Sequence, residues 1–387
     1  MKMQEKGLLF SNCTIVDKEL FFVETYYGLP AKMNPESGDV SYFGAMENFL
    51  LKEEDSLSDI RTMGKRVYAL EVSGENVIIF DLEQLRCQYV PLKCGYRKWG
   101  NFAAFEQRGP YFYIFSKYGN KICVMDTNTN EVKEIADYFD GMEELQCSCR
   151  AGSMVWLIPD NMDVIGCYDL SNGRMRIYEL GRKIENGMHA IFIDGKIYIL
   201  NRYGIIYIWN IRDRKLGEIK TLETEHLEKE SMCRMVYAGK KLIVLPLLAE
   251  EIKILDLSTN EVEIYHDYPE NFLYYEISGW SKYYGLCEDD IYYYFAMRRE
   301  NYLLRIKKAD GSLSWIKPNI VFKKERIKIR DILREKKFKA YQEAGKVFFL
   351  ENEMNIGFFV EKVPEKDNVV KKTNVGKEIF EKIRQSY

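Results

Sequence analysis

Imidazole and thiol chemistry have little to work with in this chain. Its 387 residues include three histidines, His189, His226 and His266. His226 and His266 fall in polar stretches and only His189 stands on an apolar strand, so neither a histidine triad nor a zinc site finds partners at the required spacing. Cys147 and Cys149 form a Cys-x-Cys pair. Strand alternation points both thiols to one face with no second pair or histidine at ligand spacing, which reads as structural sulfur. The run DNMD at 160–163 lacks the spacing of a calcium loop. No phosphate-binding loop and no GxGxxG, HExxH or GxSxG motif occurs. Catalytic residues are therefore left unassigned, and no metal and no cofactor is implied.

Recognition is better supplied. Polar-tipped aromatics and cations gather between the apolar runs, at Tyr27, Tyr96, Arg97, Trp99, Lys117, Tyr118, Asn161, Asp163, Arg202, Tyr203, Trp280 and Arg298. Tyrosine and tryptophan beside guanidinium groups suit peptides, sugars or acidic groups. Each such tyrosine has a plainer reading as a cap on its neighbouring element. A second set, Arg61, Arg150, His189, Arg234 and Glu276, sits on strands that are otherwise apolar. Charges there need water, partners or a ligand, and a water-filled channel is the plainer explanation.

The elements that position these residues repeat. Residues 187–222 read as four short strands, with an Asp-Gly turn between the first two. Strand two of that unit alternates so that both of its faces are apolar, and such a sheet is not stable alone. Aligning strand two of every unit gives a column of Phe21, Tyr68, Tyr113, Trp156, Tyr198, Ile243, Tyr292 and Phe348, spaced by 42 to 56 residues. A hairpin of eight residues follows from Met33, Phe80, Met125, Tyr168, Trp209, Leu255 and Ile306, mostly led by Asp or Asn, with Gly or Asn sixth in five copies. That sixth place needs a residue tolerant of positive φ. Two columns in register at this period describe an all-β propeller of four-stranded antiparallel blades.

The expected boundaries are 8–44, 57–93, 100–137, 145–181, 187–222, 230–267, 274–318 and 338–373, which makes eight blades in one domain, 1–387, with seven as the alternative. The last blade is expected to be completed by a terminal segment, either 369–373 or 6–10. Residues 323–337 read as a basic helical insertion, since basic residues outnumber acidic ones nine to three over 323–339. Residues 375–387 read as a C-terminal helix, with Ile379, Phe380 and Ile383 at helical spacing.

Bulk properties narrow the function classes. A formal charge of -3, from 56 basic and 59 acidic residues, provides no field for nucleic acid or acidic membranes. No window approaches the length of a membrane span or signal peptide. Nine cysteines scattered over strands read as reduced core thiols. The expectation is a cytoplasmic monomer.

The order of the columns resembles the kelch repeat over roughly residues 8–362. Tyr168 and Asp169 with Asn172 and Gly173 match its hairpin, and Trp315 falls near the place of its fourth-strand tryptophan. The glycine doublet of that family is missing, because no Gly-Gly occurs in the chain. The resemblance implies the fold and says little about the subfamily.

Strand direction puts turns one-two and three-four on one side of the disc, and the longer loops two-three and four-one on the other. Variable loops on a rigid scaffold are where binding resides. The chain is accordingly expected to be a non-enzymatic module that presents its loop face to a protein, peptide or glycan. The alternative is a carbohydrate-active enzyme at the channel mouth, using Asp163 or Glu276.

Overall fold

The computed structural model describes residues 10, 12–24, 29–43, 46, 57–72, 74–92, 102–118, 121–137, 144–222, 232–247, 251–270, 283–297 and 302–320. The chain divides into two compact units, Met1–Glu335 and Lys336–Tyr387, and all of these residues lie in the first. Among the described residues every regular element is a strand.

The strands form seven sheets, each a meander of four consecutive antiparallel strands. The first strands are Cys13–Val16, Leu57–Met63, Phe102–Arg108, Leu145–Ala151, Gly187–Ile193, Met232–Ala238 and Tyr283–Glu288. First strands of neighbouring sheets touch around the axis from the seventh through the first to the sixth. Each pair of facing sheets shares one apolar core. Phe21 packs with Phe80, Tyr68 with Phe112, Phe115 with Tyr168, and Trp156 with Trp209. Leu200 then shares a core with Val244, Ile243 with Phe295, and Tyr294 with Phe22. The last of these joins the seventh sheet to the first.

That core corrects the expectation of eight blades. An eighth sheet would have to part Tyr294 and Leu303 from Phe22 and Met33, which together form one buried cluster. The ring closes at seven because both faces of every sheet are then covered. The residues expected to form an eighth blade, 338–373, lie outside the described residues, as do 323–337 and 375–387. Closure by strand exchange is corrected too. The first blade takes all four strands from 13–42 and the seventh all four from 283–316. Beyond the seventh blade, Asn319–Ile320 instead pairs in parallel with Asp39–Tyr42, the outer strand of the first. Gly38 permits that crossing, because a Cβ there would lie 2.4 Å from the carbonyl oxygen of Lys317.

The aromatic column has a packing reason. Sheets face each other at about 10 Å, so a large side chain on strand two reaches the next blade. Ring centroids of Tyr68 and Phe112 are 4.7 Å apart, and those of Trp156 and Trp209 are 5.1 Å apart. The outer hairpins are held by their leading residue. Asp169 Oδ1 accepts the Ser171 N–H at 2.8 Å, and the Gly173 N–H donates to the Asp169 carbonyl at 2.8 Å. Asn34, Asp81, Asp126, Asn210 and Asp256 likewise accept backbone N–H groups from their own turns. Leu85 and Arg214 take the sixth place with positive φ although neither is Gly or Asn.

Candidate functional site at the channel mouth

The first strands approach the loop face with a shared irregularity. Register shifts leave Ser58, Ala103, Gln146, Met188, Cys233 and Gly285 without a partner on strand two. A bulge of this kind bends the strand and re-aims the side chain beside it. After it, Asp59 pairs with Leu70, His189 with Leu200 and Arg234 with Leu245, which are equivalent places on three blades. The repeat therefore puts a carboxylate, an imidazole and a guanidinium at one level of the channel, near its loop-side mouth.

Their electrostatics differ. Asp59 is bound by Arg61 at 2.5 Å and accepts the Ile60 N–H at 2.8 Å. Burial nonetheless pushes the Asp59 carboxyl up, against the pull of Arg61 and Arg234. His189 Nδ1 accepts the Met235 N–H from the next blade at 3.4 Å, so its proton sits on Nε2. Burial, then Arg234, pushes the imidazole down to about 3, and it is neutral near pH 7. Arg234 forms no hydrogen bond or ion pair among the described residues. It acts in charge on Asp59 and His189.

A second acid lies on the next blade, level with Arg61, since Glu106 pairs with Tyr113 as Arg61 pairs with Tyr68. Glu106 meets Arg150 at 3.2 Å, and burial pushes its carboxyl up despite Arg61 and Arg150. Arg150 also donates to the carbonyls of Gln107 at 2.8 Å and Gly152 at 2.9 Å, so it belongs to the tight-turn end. Other side chains satisfy the backbone edge of the channel. Asn12 donates to the Leu57 carbonyl at 2.5 Å, and Ser148 to that of Ala103 at 3.0 Å. Polar residues on inner strands thus have a structural task of bridging neighbouring blades.

Comparison with known proteins bears on the architecture. No known family pattern matches the chain, and no curated protein matches it. Among solved structures it is similar to YCF48 bound to D1 peptide, at 9% identity and a TM-score of 0.57, over 80% of this chain and 94% of that one. It is similar to a catalytically inactive virginiamycin B lyase from Staphylococcus aureus with quinupristin, at 15% identity and a TM-score of 0.56, over 77% and 94%. It is also similar to PorZ, a surface component of the type-IX secretion system of Porphyromonas gingivalis, at 13% identity and a TM-score of 0.54. That match covers 82% of this chain but 39% of PorZ. The chain is a seven-bladed β-propeller. At these identities the likeness shows the fold alone.

Around the propeller's loop side, Lys117 and Tyr118 converge on Glu144, at 2.7 and 3.3 Å. Asn161 and Asp163 are exposed in the loop between strands two and three of the fourth blade, Asn161 with φ of 51°. Arg202 and Tyr203 are half-buried in the matching loop of the fifth, where the Tyr203 N–H donates to Asn201 Oδ1 at 3.0 Å. Tyr27, Tyr96, Arg97, Trp99, Trp280 and Arg298 lie outside the described residues, as does Glu276. Asp59 and Glu106 escaped the sequence reading. The signal for Asp59 was its place two residues before Arg61 on one strand, which puts both on the same side.

The cysteine reading needs one correction. Seven described cysteines are free and buried, but Cys123 is held in a disulfide. Burial pushes the Cys147 thiol up to about 12 and Cys149 well above its ordinary value, so neither is a ready thiolate. On the tight-turn side, a cleft of about 250 Å³ lies between the first two blades over Phe21, Phe43 and Leu82. The pairs Lys32–Glu19 and Lys65–Asp17 rim it. Leu85, Tyr111, Phe192 and Ile291 are exposed on that side but belong to four different blades, and singly exposed apolar residues are ordinary.

His189 should give acid sensitivity. Between pH 6.5 and 3 the unfolded chain protonates this histidine and the folded chain does not. Its stabilising contribution is complete above 6.5 and is lost as pH falls, by at most about 1.4 kcal/mol per pH unit. The raised carboxyls of Asp59 and Glu106 act in the opposite sense, and they are common to native protein and variant. Urea unfolding at two pH values should show His189→Gln losing about 1–2 kcal/mol less than the native chain between pH 7 and 5. Equal losses would mean that the imidazole is not held neutral.

Proposed function

We propose that the propeller is a non-enzymatic binding module that holds a protein or peptide partner on its loop face and seats an acidic group of that partner against Arg234. The observation that carries this reading is the pairing pattern in the channel. Asp59 and Glu106 are each tied to an arginine of their own, while Arg234 has none beside a neutral His189. Arg234 is therefore a guanidinium at the loop-side level of the channel with no carboxylate bonded to it among the described residues. An incoming carboxylate would gain a charge-assisted hydrogen bond there.

A glycosidase needs two carboxyl groups flanking one bond, one of them free to act as base or nucleophile. Asp59 and Glu106, on neighbouring blades, are each bound to a cation and both lie within charge range of Arg61, so neither is free to act as base or nucleophile and this alternative is not favoured. YCF48, which shares the fold, is bound to D1 peptide in its solved structure, and another similar chain belongs to a mitotic checkpoint complex. Both lend support to a macromolecular partner. We read the repeat as kelch-type on the strength of the Tyr168–Gly173 hairpin.

The test is an immobilised library of acidic, neutral and basic peptides probed with the full chain, with a glycan array in parallel. Acidic peptides should be enriched, and Arg234→Gln should weaken their binding about tenfold or more with unchanged melting. Binding that ignores peptide charge, or retention confined to glycans, would overturn the reading.

A further inference from the structure

The seventh and first blades meet at the only one of the seven interfaces whose two sheets are not consecutive in sequence. Elsewhere a short connection carries the chain from one blade to the next, whereas here no nearby peptide link holds the two inner strands together. The first blade's inner strand, Cys13–Val16, has four residues, against six or seven in the other blades. Beside the parallel backbone pairing of Asn319–Ile320 with the outer strand of the first blade, side chains hold this junction. Phe10 stacks on Phe22 at 4.1 Å, Arg305 reaches Glu36 at 3.1 Å, and Asn319 Nδ2 donates to Asp39 at 2.8 Å. In the buried core of this interface the Sγ atoms of Cys13 and Cys287 are 3.0 Å apart.

We propose that Cys13 and Cys287 form a redox clasp, a disulfide that covalently closes the propeller ring under oxidising conditions. The sulfurs need to approach by about 1 Å to reach the bonded distance of roughly 2.05 Å. The chain already carries one disulfide, at Cys123, so sulfur oxidation is compatible with its fold. The co-reactant is a low-molecular-weight disulfide such as oxidised glutathione. The Cys13 thiolate, formed by loss of its proton to solvent, attacks that disulfide while the short strand is detached, which gives a mixed disulfide and releases one glutathione thiolate. Cys287 likewise loses its proton and displaces the second glutathione thiolate as the strand docks. The two released thiolates take up the two protons, so two protein thiols are oxidised and one glutathione disulfide is reduced. Burial holds the Cys287 thiol well above its ordinary value in the closed ring, which favours reaction during closure over attack on the finished core.

Closing a loop of this length restricts the unfolded chain strongly. The full chain is refolded from urea with reduced or oxidised glutathione, alkylated, digested and mapped by mass spectrometry. Oxidised refolding should yield a linked peptide pair containing Cys13 and Cys287 and raise the melting temperature by about 3–6 °C. Dithiothreitol should reverse the rise, and Cys13→Ala should abolish it while Cys123 remains as it was. Full alkylation of both cysteines after oxidised refolding, glutathione retained on Cys13 alone, or a rise that persists in Cys13→Ala would overturn the clasp. The alkylation map of the native chain decides the matter even if the variant folds poorly.

Discussion

Replacing Trp209 by Ala should lower stability by about 3–5 kcal/mol, among the larger losses any single side chain of a core produces. Trp209 is fully buried on strand three of the fifth blade, where it pairs with Ile197 and Leu216. Its ring spans the interface to the fourth blade, with centroids 5.1 Å from Trp156 and 5.5 Å from Tyr178. Neighbours on two rigid sheets cannot move in to fill the space, so most of the cavity would persist. Trp209→Phe offers a contrast. The indole Nε1 is buried without a hydrogen-bond partner among the described residues, so Phe removes an unsatisfied donor while keeping an aromatic ring in the gap. Its cost should be smaller, about 1–2 kcal/mol. Urea unfolding of both variants checks the pair, and equal losses would show that ring volume at this interface matters less than argued.

Gly239→Ala should cost about 2–4 kcal/mol, the sum of a left-handed backbone penalty and overpacking. Gly239 opens the turn between strands one and two of the sixth blade with φ of 56°. A Cβ there would lie 2.5 to 2.7 Å from backbone atoms of Asp310 in the outer hairpin of the seventh blade. Those atoms cannot rotate away, and the Gly239 N–H donates to the Lys308 carbonyl at 3.0 Å, which fixes the approach. Gly152 takes the corresponding turn of the fourth blade with φ of 63° and nothing within 4 Å of its Cβ position. Gly152→Ala should therefore show only the backbone part, about 1 kcal/mol. The difference between the two substitutions isolates blade contact, and no difference would remove the packing argument.

Both substitutions test features of very different legibility in the sequence. The period, the four-strand unit and the outer hairpins could be read directly, because each depends on residues close in the chain. Alternation decides which side of a strand a residue takes, and an Asp or Asn at the head of a turn binds N–H groups two or three residues on. Asp169 and Asp256 do this whatever surrounds them. The polar character of Arg61, Arg150, His189 and Arg234 on apolar strands was legible for the same reason. Their partners were not, since they come from other blades: Met235 for His189, Glu106 for Arg150. Arg234 and Asp59 share a level of the channel only because bulges at the same place shift several strands alike.

Blade number was decided last and at the longest range. Repeats in a row can be counted in the sequence, but a ring is complete only when the free face of the last sheet meets the free face of the first. That meeting joins Cys287 and Tyr294 to Cys13 and Phe22, whose positions differ by more than two hundred residues. No local pattern reports it. An apolar run such as 338–362 can look like another strand pair, yet the buried core between the seventh and first sheets leaves no room for a blade between them. Local periodicity therefore determined what each blade is, and the matching of distant apolar faces determined how many of them close the ring.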